Sequence, residues 1–322
     1  MPLEQFIRVK IFVAFAALIV VGICTALALV VRRMRRRPAT RIEGAFLLSL
    51  LMFGVVGAAA VAYMFVIEPD WVEVTNHEVR TDRIPEGRHV RIVHITDLHV
   101  DDLTPLLSEL PEKIAALHPD FVVFTGDAIN EKDGLPRFRT LLSNIHPPGG
   151  VFAVRGNHDV DSGWGGSLFG GTGAIELTGT PVQRARGSVS FCGAPYGDAA
   201  GLEECLRNTP TGFRVALYHS PDLVEAIQPE APDLYLAGHT HGGQLRIPWF
   251  GAVITNSTFD KKYEMGLFQV GRTALYVNRG IGTDGGPIRA RFLCRPEIAV
   301  FDVIGTGSLE AESGKVRTAS DG

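Results

Sequence analysis

Seven side chains able to bind metal, Asp97, His99, Asp127, Asn157, His219, His239 and His241, fall in five short motifs. These are Asp97-x-His99, Gly126-Asp127, Gly156-Asn157-His158-Asp159, a lone His219, and Gly238-His239-Thr240-His241-Gly242-Gly243. Each motif follows, or sits within, a run of apolar β-formers. Strands of an open α/β sheet deliver side chains to the crevice at their carboxyl ends, so residues remote in sequence can converge there. The donors mix carboxylate and amide oxygens with imidazoles and include no thiolate. That set suits a pair of borderline divalent ions better than one structural zinc.

Asp97 and His99 stand two apart at a strand end, which puts both side chains on one face. Gly126 lets the backbone turn sharply, so that the Asp127 carboxylate points back over the sheet, where its two oxygens can bridge two ions. Asn157 offers a carbonyl oxygen that binds metal without adding charge, although asparagine after glycine is ordinarily a turn residue. His158 next to Asp159 offers an imidazole that a carboxylate can orient and keep basic. The histidines at 239 and 241, flanked by glycines that permit close approach, are the most specific signal. Elsewhere His94 reads as a strand histidine, and His77, His89, His118 and His146 as surface residues. Asn130 is either a loop residue or within reach of a substrate oxygen, and Arg279 and Arg289 are either an anion-binding rim or solvated charges.

The elements that must position these groups follow an α/β rhythm. Val90 to Thr96 is a β-branched strand. Thr104 and Pro105 supply the start of a helix that Pro111 is expected to restart, and Phe121 to Thr125 is an apolar run suited to a strand buried on both faces. A helix over 136–145 and a strand over 150–154 follow. Residues 163–173 are too glycine-rich for a stable element and read as a mobile loop, a candidate lid. Short alternating segments at 189–192, 215–218, 234–237, 267–270, 274–277 and 298–303 predict a second, largely antiparallel sheet. Residues 68–89 read as a connector that carries a strand, and 305–322 as a disordered tail.

At 322 residues and a mean hydropathy of +0.15, the chain concentrates its apolar excess near the start. Ile11 to Val31 and Gly44 to Ile67 are each long enough to cross about 30 Å of hydrocarbon and are read as two transmembrane helices, an anchor over 1–67. A cleaved signal peptide would have a shorter apolar stretch and no arginine cluster at its far end. Arg32, Arg33, Arg35, Arg36, Arg37 and Arg41 outweigh Arg8 and Lys10, so the loop between the spans is expected in the cytoplasm and the following domain outside it, in a multi-pass protein of a bacterial-type inner membrane. Residues 1–67 hold 8 of the 31 basic and 2 of the 35 acidic residues, which leaves the remainder with a net charge of −10. An acidic domain with no basic stripe argues against nucleic acid as a partner. Four cysteines without a CxxC imply no disulfide framework and read as small buried residues.

Together the five motifs, in this order and at these spacings, resemble the calcineurin-like metallophosphoesterase family over about Val90 to Val303. The stretches 238–248, 276–283 and 295–298 are similar to its membrane-anchored, YkuE/YaeI-like branch. The resemblance implies a catalytic domain over 90–304 with a four-layer αββα sandwich, two mixed sheets flanked by helices. It further implies that Asp97, His99 and His241 hold one metal, that Asn157, His219 and His239 hold the other, and that Asp127 bridges them. The ions would be manganese, zinc, iron or magnesium, with no organic cofactor. His158 would stand near the scissile phosphate with Asp159 orienting it, and hydroxide held between the ions would attack without a phosphoenzyme. The expected function is hydrolysis of a phosphodiester or pyrophosphate, held close to the bilayer and therefore lipid-linked or amphiphilic, with no obligate protein partner. The alternatives are a UDP-2,3-diacylglucosamine pyrophosphatase of lipid A synthesis, if the domain is cytoplasmic, and a non-catalytic scaffold that keeps the fold.

Overall fold

Alternation along the strands sorts their side chains into three apolar layers. In the strand β2 (His89–Ile95), Ile92 faces one buried cluster while Val93 and Ile95 face another. The same parity holds in β3 (Phe121–Phe124) and β4 (Val151–Ala153): Val123 and Phe152 point one way, Val122 and Ala153 the other. Side chains of period two can satisfy both clusters only if the sheet is covered on both faces. The computed structural model shows that covering for the described residues, which are 19–20, 22–27, 29–31, 33, 41–161, 167–184, 188–209, 212–284 and 290–307.

The first sheet has the order β1-β14-β2-β3-β4-β5, with β1 at Glu73–Pro85, β5 at Ile175–Glu176 and β14 at Glu297–Gly307. Strands β2 to β5 run parallel, β14 is antiparallel to β2, and β1 is parallel to β14. The second sheet is β12-β13-β9-β8-β7-β6. Its strands are β6 (Val182–Arg184), β7 (Val189–Gly193), β8 (Phe213–Leu217), β9 (Leu234–Ala237), β12 (Gly266–Val270) and β13 (Thr273–Val277). Phe152 and Phe191 stack across the sheets with ring centroids 4.4 Å apart. The helices α2 (Pro105–Ala115) and α3 (Leu135–Leu142) cover the outer face of the first sheet, and α5 (Ala199–Arg207) covers that of the second. The result is the expected α/β sandwich of mixed sheets and flanking helices.

Several expectations are corrected. The second sheet is parallel through β7, β8, β9 and β13 and antiparallel only at its two edges. The connections between its central strands are long enough for crossovers, and α5 fills the first of them. Residues 298–303 belong to the first sheet, where β14 inserts between β1 and β2. The strand expected within the connector is present at 73–85, but as the edge of that sheet, and β14 runs on to Gly307; the rest of the expected tail lies outside the described residues. Helix α2 passes through Pro111 without restarting, at the cost of one hydrogen bond to Leu107. In the glycine-rich segment, 163–166 lie outside the described residues, whereas Leu168 and Phe169 are buried, Phe169 against Phe124 and Phe138. That part of the segment is core rather than lid.

Cys192 of β7 and Cys205 of α5 form a disulfide, which the sequence reading missed. Their spacing of 13 follows no motif, and only the packing of α5 on the sheet brings them together. Of the two expected membrane spans, one continuous helical stretch, Arg41–Asp70, is long and apolar enough among the described residues. It comprises α1 (Arg41–Ala62) and two short turns, and it leaves Phe46, Leu48, Val55 and Val66 exposed. Of the expected span 11–31, residues 11–18, 21 and 28 fall outside the described residues; Gly22–Val31 is a shorter apolar helix.

Candidate metal centre

All five motifs leave carboxyl ends of parallel strands: Asp97 after β2, Asp127 after β3, Asn157 after β4, His219 after β8 and His239 after β9. The two sheets therefore meet over one cleft. Five of the seven candidate ligands hold left-handed backbones, with φ of 51° at Asp97, 43° at His99, 55° at Asp127, 69° at His239 and 51° at His241. Such strain persists only where surrounding structure over-determines it, and it gathers at functional sites. The glycines make room for it. At Gly126 (φ 103°) an added Cβ would collide with the backbone of Gly156, and at Gly238 it would collide with the Asp97 carboxylate.

Two triads that share no residue result, Asp97 with His99 and His241, and Asp127 with His219 and His239, and a third group joins His99 and Asp127 to His158, each with its donor atoms within 4.8 Å of one another. His99 Nε2 lies 3.1 Å from His241 Nε2, and His219 Nε2 lies 3.1 Å from His239 Nδ1. His241 Nε2 is 3.2 Å from Asp97 Oδ1, and Asp127 Oδ2 lies 3.1 Å from His219 Nε2 and 3.7 Å from His99 Nε2. Imidazole nitrogens aimed at each other at this range have the spacing of neighbouring ligands about an ion bound at about 2.1 Å. Asn157 Oδ1 is buried without a hydrogen-bond partner, as a metal-directed oxygen would be. The donor set thus fits divalent cations.

Electrostatics favour the ligand protonation states. Burial favours neutral carboxyls, yet His241, His219 and His99 hold Asp97 well below the usual range, and His219 and His99 do the same for Asp127. Burial pushes His99 and His239 down to about 4, so both are neutral near pH 7. His219 goes up to about 9, because Asp127 and then Asp97 outweigh its burial. Metal binding therefore displaces a proton from this cluster.

His158 sits at the rim with its side chain 32% exposed; its backbone N–H donates to Asp127 Oδ1 at 2.9 Å, and its Nε2 is 3.6 Å from Asp284 Oδ1. The Asp159 carboxylate instead accepts the backbone N–H groups of Asp127, Ala128 and Gly156 at 2.8, 2.9 and 2.9 Å. These bonds pin the loops after β3 and β4 together. Asn130 is likewise spoken for: its Oδ1 lies 2.7 Å from His99 Nδ1, and its Nδ2 donates to His99 O and Asp101 Oδ2. Arg279 forms no anion rim, since it pairs with Glu73 and Glu297; Arg289 lies outside the described residues. His94 is buried, with Nε2 2.8 Å from Thr125 Oγ1.

Sequence reasoning missed Tyr196, whose ring lies 5.6 Å from that of His239 and 6.0 Å from that of His219. Its place just past the end of β7 follows the rule that located the ligands and would have found it. It also missed Asp284.

The family described as calcineurin-like phosphoesterase matches residues 90–243. The metallophosphoesterase YkuE of Bacillus subtilis is 31% identical over 280 residues, spanning 79% of this chain and 96% of that protein. This chain belongs to the calcineurin-like phosphoesterase family. Other relatives are the UDP-2,3-diacylglucosamine pyrophosphatase LpxG of Chlamydia trachomatis, 30% identical over 73% of this chain and 90% of its own, and the phosphodiesterase YaeI of Escherichia coli, 30% identical over 78% and 95%. The calcineurin-like chain is a metal-dependent phosphoester hydrolase, and its clustered histidines and aspartates suit the two divalent ions typical of that fold.

Proposed function

We propose a membrane-anchored hydrolase of phosphodiester or pyrophosphate bonds in a lipid-linked or amphiphilic substrate. In this reading Asp97, His99 and His241 hold one ion, Asn157, His219 and His239 the other, and Asp127 both. The observation that carries the reading is the position of Asp127, whose Oδ2 faces His219 of one triad and His99 of the other. Bound there, two divalent ions would draw in the phosphate oxygens and acidify water for in-line attack. The chain's own part is to orient and to move protons. His158, grouped with His99 and Asp127, stabilises or protonates the departing oxygen, and Asp284 Oδ1 3.6 Å from its Nε2 positions the ring. Asp159 fixes the loops that present Asp127 and Asn157.

An amphiphilic substrate is supported by a cavity of about 280 Å³ next to the site. His99, Asp101 and Leu98 form one wall, and Phe65 and Pro69, at the end of the Arg41–Asp70 helix, form another. A lipid leaving the bilayer along that helix would meet the metal centre directly. We read residues 1–67 as two spans with the arginine cluster in the cytoplasm and the domain from 90 to 304 outside; the Cys192–Cys205 disulfide supports that side, because such bonds persist in oxidising compartments. A cytoplasmic domain would favour the second reading, a UDP-2,3-diacylglucosamine pyrophosphatase, on the likeness to LpxG.

Turnover of bis-p-nitrophenyl phosphate with added manganese, followed by phospholipid and nucleotide-sugar substrates, tests the proposal. Metal-dependent hydrolysis that falls to background in Asp127→Ala and drops steeply in His158→Ala is expected. Absence of metal-dependent turnover on every phosphoester would leave a scaffold that keeps the fold. A reporter fused at the C-terminus decides between the two sides of the membrane.

A further inference from the structure

A short hairpin next to the site ends in an apolar tip that stands exposed among the described residues. Its strands are β10 (Arg246–Ile247) and β11 (Gly251–Ala252), and its turn is Pro248, Trp249 and Phe250. Trp249 is fully exposed and holds a left-handed backbone (φ 63°), an expensive conformation for a bulky side chain. Phe250, Ile247 and nearby Leu293 are exposed as well. The Lys261 ammonium lies 3.3 Å from the centre of the Phe250 ring.

The strap of residues 291–294 joins this hairpin to the end of the apolar helix. On one side Arg291 N–H donates to Met64 O at 3.2 Å, and Glu68 accepts from Leu293 N–H at 2.8 Å and from Cys294 N–H. On the other, Arg246 N–H donates to Phe292 O at 2.9 Å. The hairpin thus stands about two strand spacings, roughly 10 Å, from the helix end. There Trp71 is also exposed, with the Arg295 guanidinium 4.2 Å from its ring. Tryptophans flanked by lysine and arginine at the end of an apolar helix match the composition of a membrane–water interface.

We infer that the Ile247–Phe250 tip and Leu293 form a second membrane contact, seated among the headgroups of the bilayer that the Arg41–Asp70 helix crosses, with Lys261 meeting lipid phosphate. The inference rests on the anchored reading above. Arg246 Nη1 donates to Gly242 O at 2.8 Å, one residue past His241, so seating the hairpin also sets how the mouth of the metal site faces the lipid.

Full-length protein in phosphatidylcholine–phosphatidylglycerol vesicles tests it. The emission that separates wild type from Trp249→Phe belongs to Trp249. That difference should be blue-shifted, quenched by lipids brominated near the headgroup more than by lipids brominated deep in the chains, and shielded from aqueous acrylamide. Trp249→Glu should keep turnover of a soluble diester and lose it severalfold on vesicle-borne phosphoester. Protein that floats with the vesicles while Trp249 stays open to acrylamide overturns the hairpin's seat alone. Shielding from acrylamide with no response to brominated lipid overturns it in favour of a protein cover, such as a second copy. Failure to float overturns the anchor and the seat together.

Discussion

Asn130 Oδ1 lies 2.7 Å from Nδ1 of His99, so the donor of that imidazole left for the cleft is Nε2. A residue that fixes the tautomer of a ligand tunes the site without touching the ion. Asn130→Ala should weaken metal binding about 10- to 100-fold with little change in thermal stability of the metal-free protein. Titration with manganese by calorimetry reads the affinity; unchanged binding would show that His99 needs no such support.

The Asp159 carboxylate takes three buried backbone N–H groups at once. Removing it in Asp159→Ala leaves them unpaired and should cost about 2 to 4 kcal/mol, since each buried unpaired group costs about 1 to 3 kcal/mol before relaxation. For a domain of this size that is a fall in Tm on the order of 5 to 10 °C by calorimetry. A variant that melts with wild type would return Asp159 to a purely catalytic role.

What the sequence makes legible here is local. Strand, glycine and donor sit side by side in Val122 to Asp127 and in Leu234 to His241, so both the β-strands and the groups at their ends can be read from neighbours. Pairings between distant segments leave no such mark. Nothing near Ile298 says that β14 slots between β1 and β2, and nothing near Cys192 says that α5 lays Cys205 against it. The backbone partners of Asp159 leave no local mark for the same reason. Adjacency in the sequence pairs Asp159 with His158, and nothing local shows that the fold lays its carboxylate on backbone amides of the loops after β3 and β4.

The Cys192–Cys205 bond leaves Cys24 and Cys294 as thiols. Thiol titration of protein denatured without reductant should therefore find two thiols per chain and, after reduction, all four. Closing so short a loop is worth about 3 kcal/mol, so Cys205→Ala should also lower Tm measurably. Four thiols before reduction would remove this support for an extracytoplasmic domain.

Glu297 couples the first sheet to the loop that follows β13. Burial favours its neutral form, but the Arg279 charge and the hydrogen bonds from Arg279 and Tyr276 outweigh that and hold its carboxyl below the ordinary value of 4.5. A carboxyl lowered on folding adds stability that is complete above the unfolded value and is lost as pH falls through the folded one. Glu297→Gln should cost about 3 kcal/mol at pH 7, where a partner of a buried pair is removed, and the gap to wild type should narrow below pH 4.5. Urea unfolding at several pH values checks this, and a gap independent of pH would contradict it.

The most direct measurement is an anomalous-scattering map from crystals of the protein grown with manganese. The account predicts two peaks sharing Asp127, one contacted by Asp97, His99 and His241 and the other by Asn157, His219 and His239. A single peak, or two peaks of which only one touches Asp127, would contradict it.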